Sequence, residues 1–128
     1  MIVKTLAEVL GTQAHIKGEG FESRRLLLAG DGVGYSLHDT VVRQGSEQRL
    51  QYKNHIESNY CIEGEGEVED VASGQVHAIG PGSLYVLDKH DAHIVRATKS
   101  DLRFICIFTP ALTGHERHDA QGSYAVEE

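Results

Sequence analysis

The sequence predicts an all-β fold, a sandwich or barrel of short strands. Three observations carry this. Runs rich in β-branched, aromatic and alternating residues recur at close intervals: RRLLLA, VGYSLHDTVV, QRLQYK, QVHAI, SLYVL, AHIVRA and DLRFICIF. Glycine-bearing turn signals separate them, and 14 glycines suit a turn-rich chain. Strands this closely spaced argue against a parallel sheet crossed by helices.

The elements follow in order. Thr5-Leu6-Ala7-Glu8 fits a capping box and Gly11 a helix stop, which gives one short helix near residues 5–10. Gly18 and Gly20 mark a loop, and β structure is expected from Ser23 onward. RRLLLA (24–29) ends at a Gly-Asp-Gly turn. In the next run Val33, Tyr35, Leu37 and Asp39 share one face, and Ser36, His38 and Thr40 share the other. That second face either lines a polar cavity or meets solvent. QRLQYK (48–53) is expected to continue the sheet. Val71-Ala72-Ser73-Gly74 reads as a hairpin tip between EVED and QVHAI. The tail from Thr113 is polar and without periodicity, and alone reads as a disordered end.

Composition narrows the function classes. A chain of 128 residues suits one domain and buries about two-thirds of its unfolded surface. No apolar run approaches the ~20 residues of a membrane helix, and MIVKTLAEVLGTQ lacks the features of a signal peptide. A cytoplasmic location is expected, with no membrane partner. Cys61 and Cys106 each sit in an apolar run and are expected as buried thiols rather than a disulfide. A net charge of −7 speaks against a nucleic-acid partner.

The chemistry concentrates in residues 45–97. GSEQRLQYKNHIESNYCIEGEG and PGSLYVLDKHDAHIVRA resemble the two cupin motifs, in which glycines frame three histidines and a glutamate that bind metal. On that frame the chain keeps Glu57 and His93. It has Gln51 and Lys53 in place of the motif-one histidines, and Asp88, His90 and Ala97 where the second motif prefers Pro, Gly and Asn. A metal here needs another ligand, and Tyr85 is the nearest candidate by spacing. Tyr85 and His93 can stand on facing arms of a hairpin. A carboxylate, a phenolate and an imidazole with open positions resemble the facial triad of non-haem Fe(II) sites. The frame implies a cupin double-stranded β-helix barrel, jelly-roll-like, with one or two short helices, as a single domain over 1–128.

A closer resemblance covers Met1 to about Asp119. YKNHIESNYCIEGEGEVED, the Leu-Asp-Lys-His-Asp run at 87–91 and CIFTPALTGHERHD, in that order, are similar to the ectoine synthase family. MIVKTL and SRRLLL fit the same family. The resemblance implies an iron-dependent lyase that closes N-γ-acetyl-L-2,4-diaminobutyrate into ectoine, a compatible solute made under osmotic stress. It places the metal, Fe(II) or another divalent ion, on Glu57, Tyr85 and His93. It places substrate near Arg25, Thr40, Tyr52, His55, Phe108, Glu116 and His118, and it implies a homodimer. Phe21 stands where the family usually has Trp, keeping an aromatic wall but losing the indole donor. Thr109-Pro110-Ala111 replaces the family's Asn-Pro-Pro.

As a hypothesis on mechanism, the free α-amine attacks the acetyl amide carbon and water then leaves. A base and an acid are needed, and Tyr52, His55, Glu116 and His118 are the candidates. Phe21 and Phe108 could pack around the aliphatic chain, and Arg25 could hold the carboxylate. A functional tail, residues 113–128, is expected to fold over the barrel mouth as a lid. Two alternatives stay open: a differently catalytic cupin, such as an Fe-dependent dioxygenase, and a non-catalytic protein that binds a small ligand.

Overall fold

The computed structural model describes residues 1–119, 122 and 123. The expected short helix is α1 (Leu6–Val9), where the Glu8 carboxylate accepts the Thr5 N–H at 3.4 Å. Gly11 follows with φ +76°, a left-handed turn that glycine adopts without strain. A 3-10 turn spans Ala29–Asp31 at the Gly-Asp-Gly signal.

Ten strands follow: β1 (His15–Gly18), β2 (Phe21–Leu27), β3 (Ser36–Val42), β4 (Glu47–Leu50), β5 (Ile56–Glu63), β6 (Gly66–Asp70), β7 (Val76–Ile79), β8 (Leu84–Leu87), β9 (His93–Arg96) and β10 (Leu102–Thr109). They form two antiparallel sheets. One has the order β1-β2-β3-β10-β5-β8, the other β4-β9-β6-β7. Strand order that jumps across the sequence is the jelly-roll signature, and two stacked sheets bury their facing sides. Leu102, Phe104, Cys61, Val95 and Ala97 fill the space between them. Both thiols are free and buried, as expected.

Three expectations need correction. β structure begins at His15 rather than Ser23, with β1 unanticipated and β2 starting at Phe21. Glu19 and Gly20 make a tight turn between the two strands, so the glycines there belong to a hairpin and not to an open loop. QRLQYK does not continue as a strand, because β4 ends at Leu50. Beyond it the backbone turns to the tail: Gln51 N–H donates to the Gly122 carbonyl at 3.2 Å, and Lys53 N–H to Ser123 Oγ at 2.9 Å.

The strand β3 decides which face becomes the cavity. Ser36 and His38 are fully buried and Thr40 half-buried, so the polar face turns inward. Val33 and Tyr35 are exposed outside. Asp39, also buried, is clamped between Arg24 Nη2 and Arg103 Nη2, each at 2.6 Å. Burial pushes its pKa up, but these guanidinium bonds outweigh that and hold it below its ordinary value. Among the described residues no helix is long and apolar enough to cross a membrane.

Candidate active site

The cavity opens between the sheets and is lined by side chains from β2, β3, β5, β8 and β10 of one and β4 and β9 of the other, with Tyr52 and His118. Alternation along β5 sends Glu57 and Asn59 to one side, both buried. The antiparallel register sets Asn59 against Tyr85 on β8, and Phe108 of β10 against Glu57. His93 opens β9, and its ring centre lies 6.3 Å from that of Tyr85. Glu57 and Tyr85 line this cavity, and the His93 ring neighbours those of Tyr85 and Tyr52.

Their environments differ in ways that matter chemically. Burial pushes the Glu57 carboxyl up to about 7, partly offset by hydrogen bonds with Asn59 and Cys106. Burial, then the nearby Glu57 charge, raises the Tyr85 phenol well above its ordinary value. Burial lowers the pKa of His93, which favours the neutral ring. Its Nδ1–H donates to the Asp91 carbonyl at 2.9 Å, while the buried Nε2 has no hydrogen-bond partner among the described residues. A backbone carbonyl on one ring nitrogen and a bare lone pair on the other is how metal-binding histidines are held. A divalent cation would satisfy Nε2 and neutralise the carboxylate together, so the donor set fits the metal the family implies. Among the described residues no group of three His, Cys, Asp or Glu converges that could hold a metal ion.

Of the expected acid–base and substrate residues, Phe21, Thr40, Tyr52, Phe108 and His118 line the same cavity. The Tyr52 hydroxyl lies 2.9 Å from His118 Nε2, and its ring stands edge-on to Phe108 at 5.0 Å. Burial first, and Arg25 second, lower the pKa of His118 to about 4. Phe21 packs against the His118 ring at 5.5 Å. His55 is buried beside Phe108, with its pKa lowered chiefly by burial. Thr40 lines the cavity opposite Ser23 and Phe104.

Two of the expected residues face the tail. Arg25, fully buried, donates from Nη1 to the Gly114 carbonyl and from Nη2 to the Glu116 carbonyl, each at 3.1 Å. Glu116 accepts the N–H groups of Thr113 (2.7 Å) and Gly114 (2.8 Å). Although burial raises its pKa, those bonds bring the carboxylate below its ordinary range. The described tail therefore lies against the cavity, with Leu112 and Ser123 fully buried. The expected lid also takes in residues 120–121 and 124–128, which lie outside the described residues.

Sequence reasoning passed over Ser23, Asn59 and Cys106, and left His38 open between cavity and solvent. All four line the cavity. Ser23 Oγ lies 3.3 Å from His38 Nδ1, and the Cys106 thiol donates to Asn59 Oδ1 at 3.0 Å. The signal was there for two of them: Asn59 lies two residues after Glu57, and Cys106 two before Phe108, the spacing that keeps one face of a strand.

Two stacked antiparallel sheets of this strand order, enclosing an aromatic-walled cavity, define a cupin fold. The solved structure of a cupin-2 domain from Rhodospirillum rubrum shares this fold, with a TM-score of 0.62 and 21% identity over 75% of this chain and 66% of that one. The match narrows further at the family level. The family model described as ectoine synthase matches residues 1–128, and the chain belongs to that family. The L-ectoine synthase of Desulfosudis oleivorans is 51% identical over 100% of this chain and 99% of its own length. That of Halalkalibacterium halodurans is 52% identical over 98% and 97%. The crystal structure of ectoine synthase from P. lautus superposes with a TM-score of 0.89 at 47% identity, covering 100% of this chain and 92% of that one.

Proposed function

We propose that the protein closes N-γ-acetyl-L-2,4-diaminobutyrate into ectoine with an iron(II) ion held by Glu57, Tyr85 and His93. Its family membership makes it an ectoine-forming lyase. The substrate, the metal and the residue roles are the reading offered here. The observation that carries it is the placement of Glu57, Tyr85 and the Tyr52–His118 pair on one cavity, with the partnerless Nε2 of His93 on a ring centred 6.3 Å from that of Tyr85.

The reaction joins the α-amine nitrogen to the acetyl carbonyl carbon and expels that carbonyl's oxygen as water, leaving a cyclic amidine. When bound, the ion would supply Lewis acidity toward the amide carbonyl, worth several kcal/mol. The chain's own residues do the rest. Phe21 and Phe108 wall the cavity and favour a folded substrate, in which proximity contributes up to roughly 7–11 kcal/mol. His118 is neutral, so with Tyr52 it forms a relay that takes a proton from the amine and returns one to the leaving hydroxyl. His55, beside Phe108, is the second proton carrier on this reading. Glu116 and Arg25 keep the tail folded over the mouth as a lid, which excludes water from an intermediate that must itself lose water.

The same reading extends to assembly and place. The outer face of β10, β5 and β8 exposes Ile107, Ile56, Tyr60, Leu84 and Val86 as neighbours. A contiguous apolar face of this kind suits burial against a second copy, a homodimer. A cytoplasmic role in osmotic protection follows from the product's chemistry as a small neutral solute. Relatives about half identical over the full chain favour this reading over a dioxygenase or a ligand store.

The test is direct. Purified protein loaded with Fe(II) under anaerobic conditions is given the acetylated diamine, and ectoine is followed by chromatography. Metal-dependent ectoine without oxygen supports the reading. Folded, iron-loaded protein that makes none rejects it, and oxygen uptake with a small substrate would favour a dioxygenase.

A further inference from the structure

His90 stands in the turn between β8 and β9 and does not itself line the cavity. It is the one non-glycine with positive φ among the described residues, at +56°. A side chain in the left-handed region is disfavoured by about 1–2 kcal/mol, so something must hold it there. The structure shows what. His90 Nδ1 lies 2.8 Å from the Tyr52 carbonyl and 3.1 Å from the His55 carbonyl. Two carbonyl acceptors require that Nδ1 carry the hydrogen. In return Gln51 Nε2 donates to the His90 carbonyl at 3.2 Å.

The segment 51–55 between β4 and β5 has no sheet partner. Its backbone polar groups are met from two sides, by Gly122 and Ser123 of the tail and by His90 of the turn. That segment carries two of the acid–base candidates. The His90 bond ties their two carbonyls to one atom and so fixes the spacing of Tyr52 and His55. It also links them to the hairpin that bears Tyr85 and His93. We propose that His90 is a positioning residue for the ring closure: its Nδ1–H clamps the Tyr52 and His55 carbonyls and sets both side chains over the cavity. This rests on the ectoine-forming reading of the site.

Asparagine and aspartate separate the clamp from mere structure. Each places an atom at the same bond distance from Cα as Nδ1, and both tolerate the left-handed backbone. Asparagine offers an N–H there, whereas aspartate offers only a carboxylate oxygen that repels both carbonyls. The experiment compares full-length H90N, H90D and H90G for ectoine formation, iron content and thermal midpoint. The expected result is H90N within about threefold of wild-type kcat. H90D and H90G should lose tenfold or more in kcat, in line with the cost of misplacing a reacting group, and change KM less. H90G keeps the test valid if H90D does not fold. Wild-type turnover in H90G, or H90N no faster than H90G, would overturn the proposal. If wild type makes no ectoine at all, the parent reading has failed and not the clamp.

Discussion

Acidification should loosen this protein through His118, and the size of the effect follows from its burial. The ring's pKa falls from 6.5 in a free chain to about 4 in the folded state, first through burial and then through Arg25. The sign is that of a depressed histidine. Between those two values the unfolded chain binds a proton that the folded chain refuses, so stability falls as pH drops through this window. Integrating the two titrations gives a loss of about 2 kcal/mol from pH 7 to pH 5 from this one group. The chain has no tryptophan, so urea melts followed by circular dichroism suit the measurement. His118→Gln keeps a polar group beside Tyr52 and removes the titration. His38, His55 and His93 also have lowered pKa values, so wild type and variant will both lose stability in acid. The difference between their pH slopes isolates His118. Equal slopes would refute the reasoning, because they would mean that the ring titrates alike in both states.

Three further outcomes are expected. Gly122 has φ +71°, and an added Cβ would sit 2.6 Å from the Arg49 carbonyl oxygen. Gly122→Ala should therefore lift the tail from Gln51 and cut kcat tenfold or more while the barrel's thermal midpoint stays close to wild type, read by steady-state assay and a thermal melt. Deleting residues 113–128 should abolish turnover and leave the strand spectrum in circular dichroism intact; unchanged activity would reject the lid. Leu84 is 63% exposed on the outer face of β8. Leu84→Asp should shift the protein to the mass of one chain in light-scattering chromatography, and an unchanged dimer would move the interface elsewhere.

Much of this architecture was legible in the residues, and the failures share a cause. The strands from Ile56 to Thr109 announce themselves through alternation and glycine turns, because both act within a few residues. QRLQYK has the same local look, yet the chain leaves the sheet after Leu50. The partners that draw it away, Gly122 and Ser123, lie some seventy residues later. β1 was missed because His15–Gly18 is only four residues long and carries two glycine signals nearby. At the site, Glu57 and His93 stand in motif positions and Tyr85 was the nearest candidate by spacing; Glu57 and Tyr85 line the cavity, and the His93 ring lies 6.3 Å from that of Tyr85. Arg25 reads as a carboxylate clamp in isolation. In the fold both of its terminal nitrogens reach tail carbonyls, a contact across about ninety positions that no local pattern encodes. Asp39 ends a face shared with Val33, Tyr35 and Leu37, and its burial between Arg24 and Arg103 likewise rests on a partner 64 positions away.

The claim that everything else depends on is a metal ion bound by one oxygen of each kind, carboxyl and phenol, and one imidazole nitrogen. Elemental analysis of Glu57→Ala, Tyr85→Ala and His93→Ala, purified and reloaded with Fe(II), tests it most directly. Each variant should lose both iron and ectoine formation. Full iron occupancy in any one of them would remove that residue from the ligand set and contradict the account.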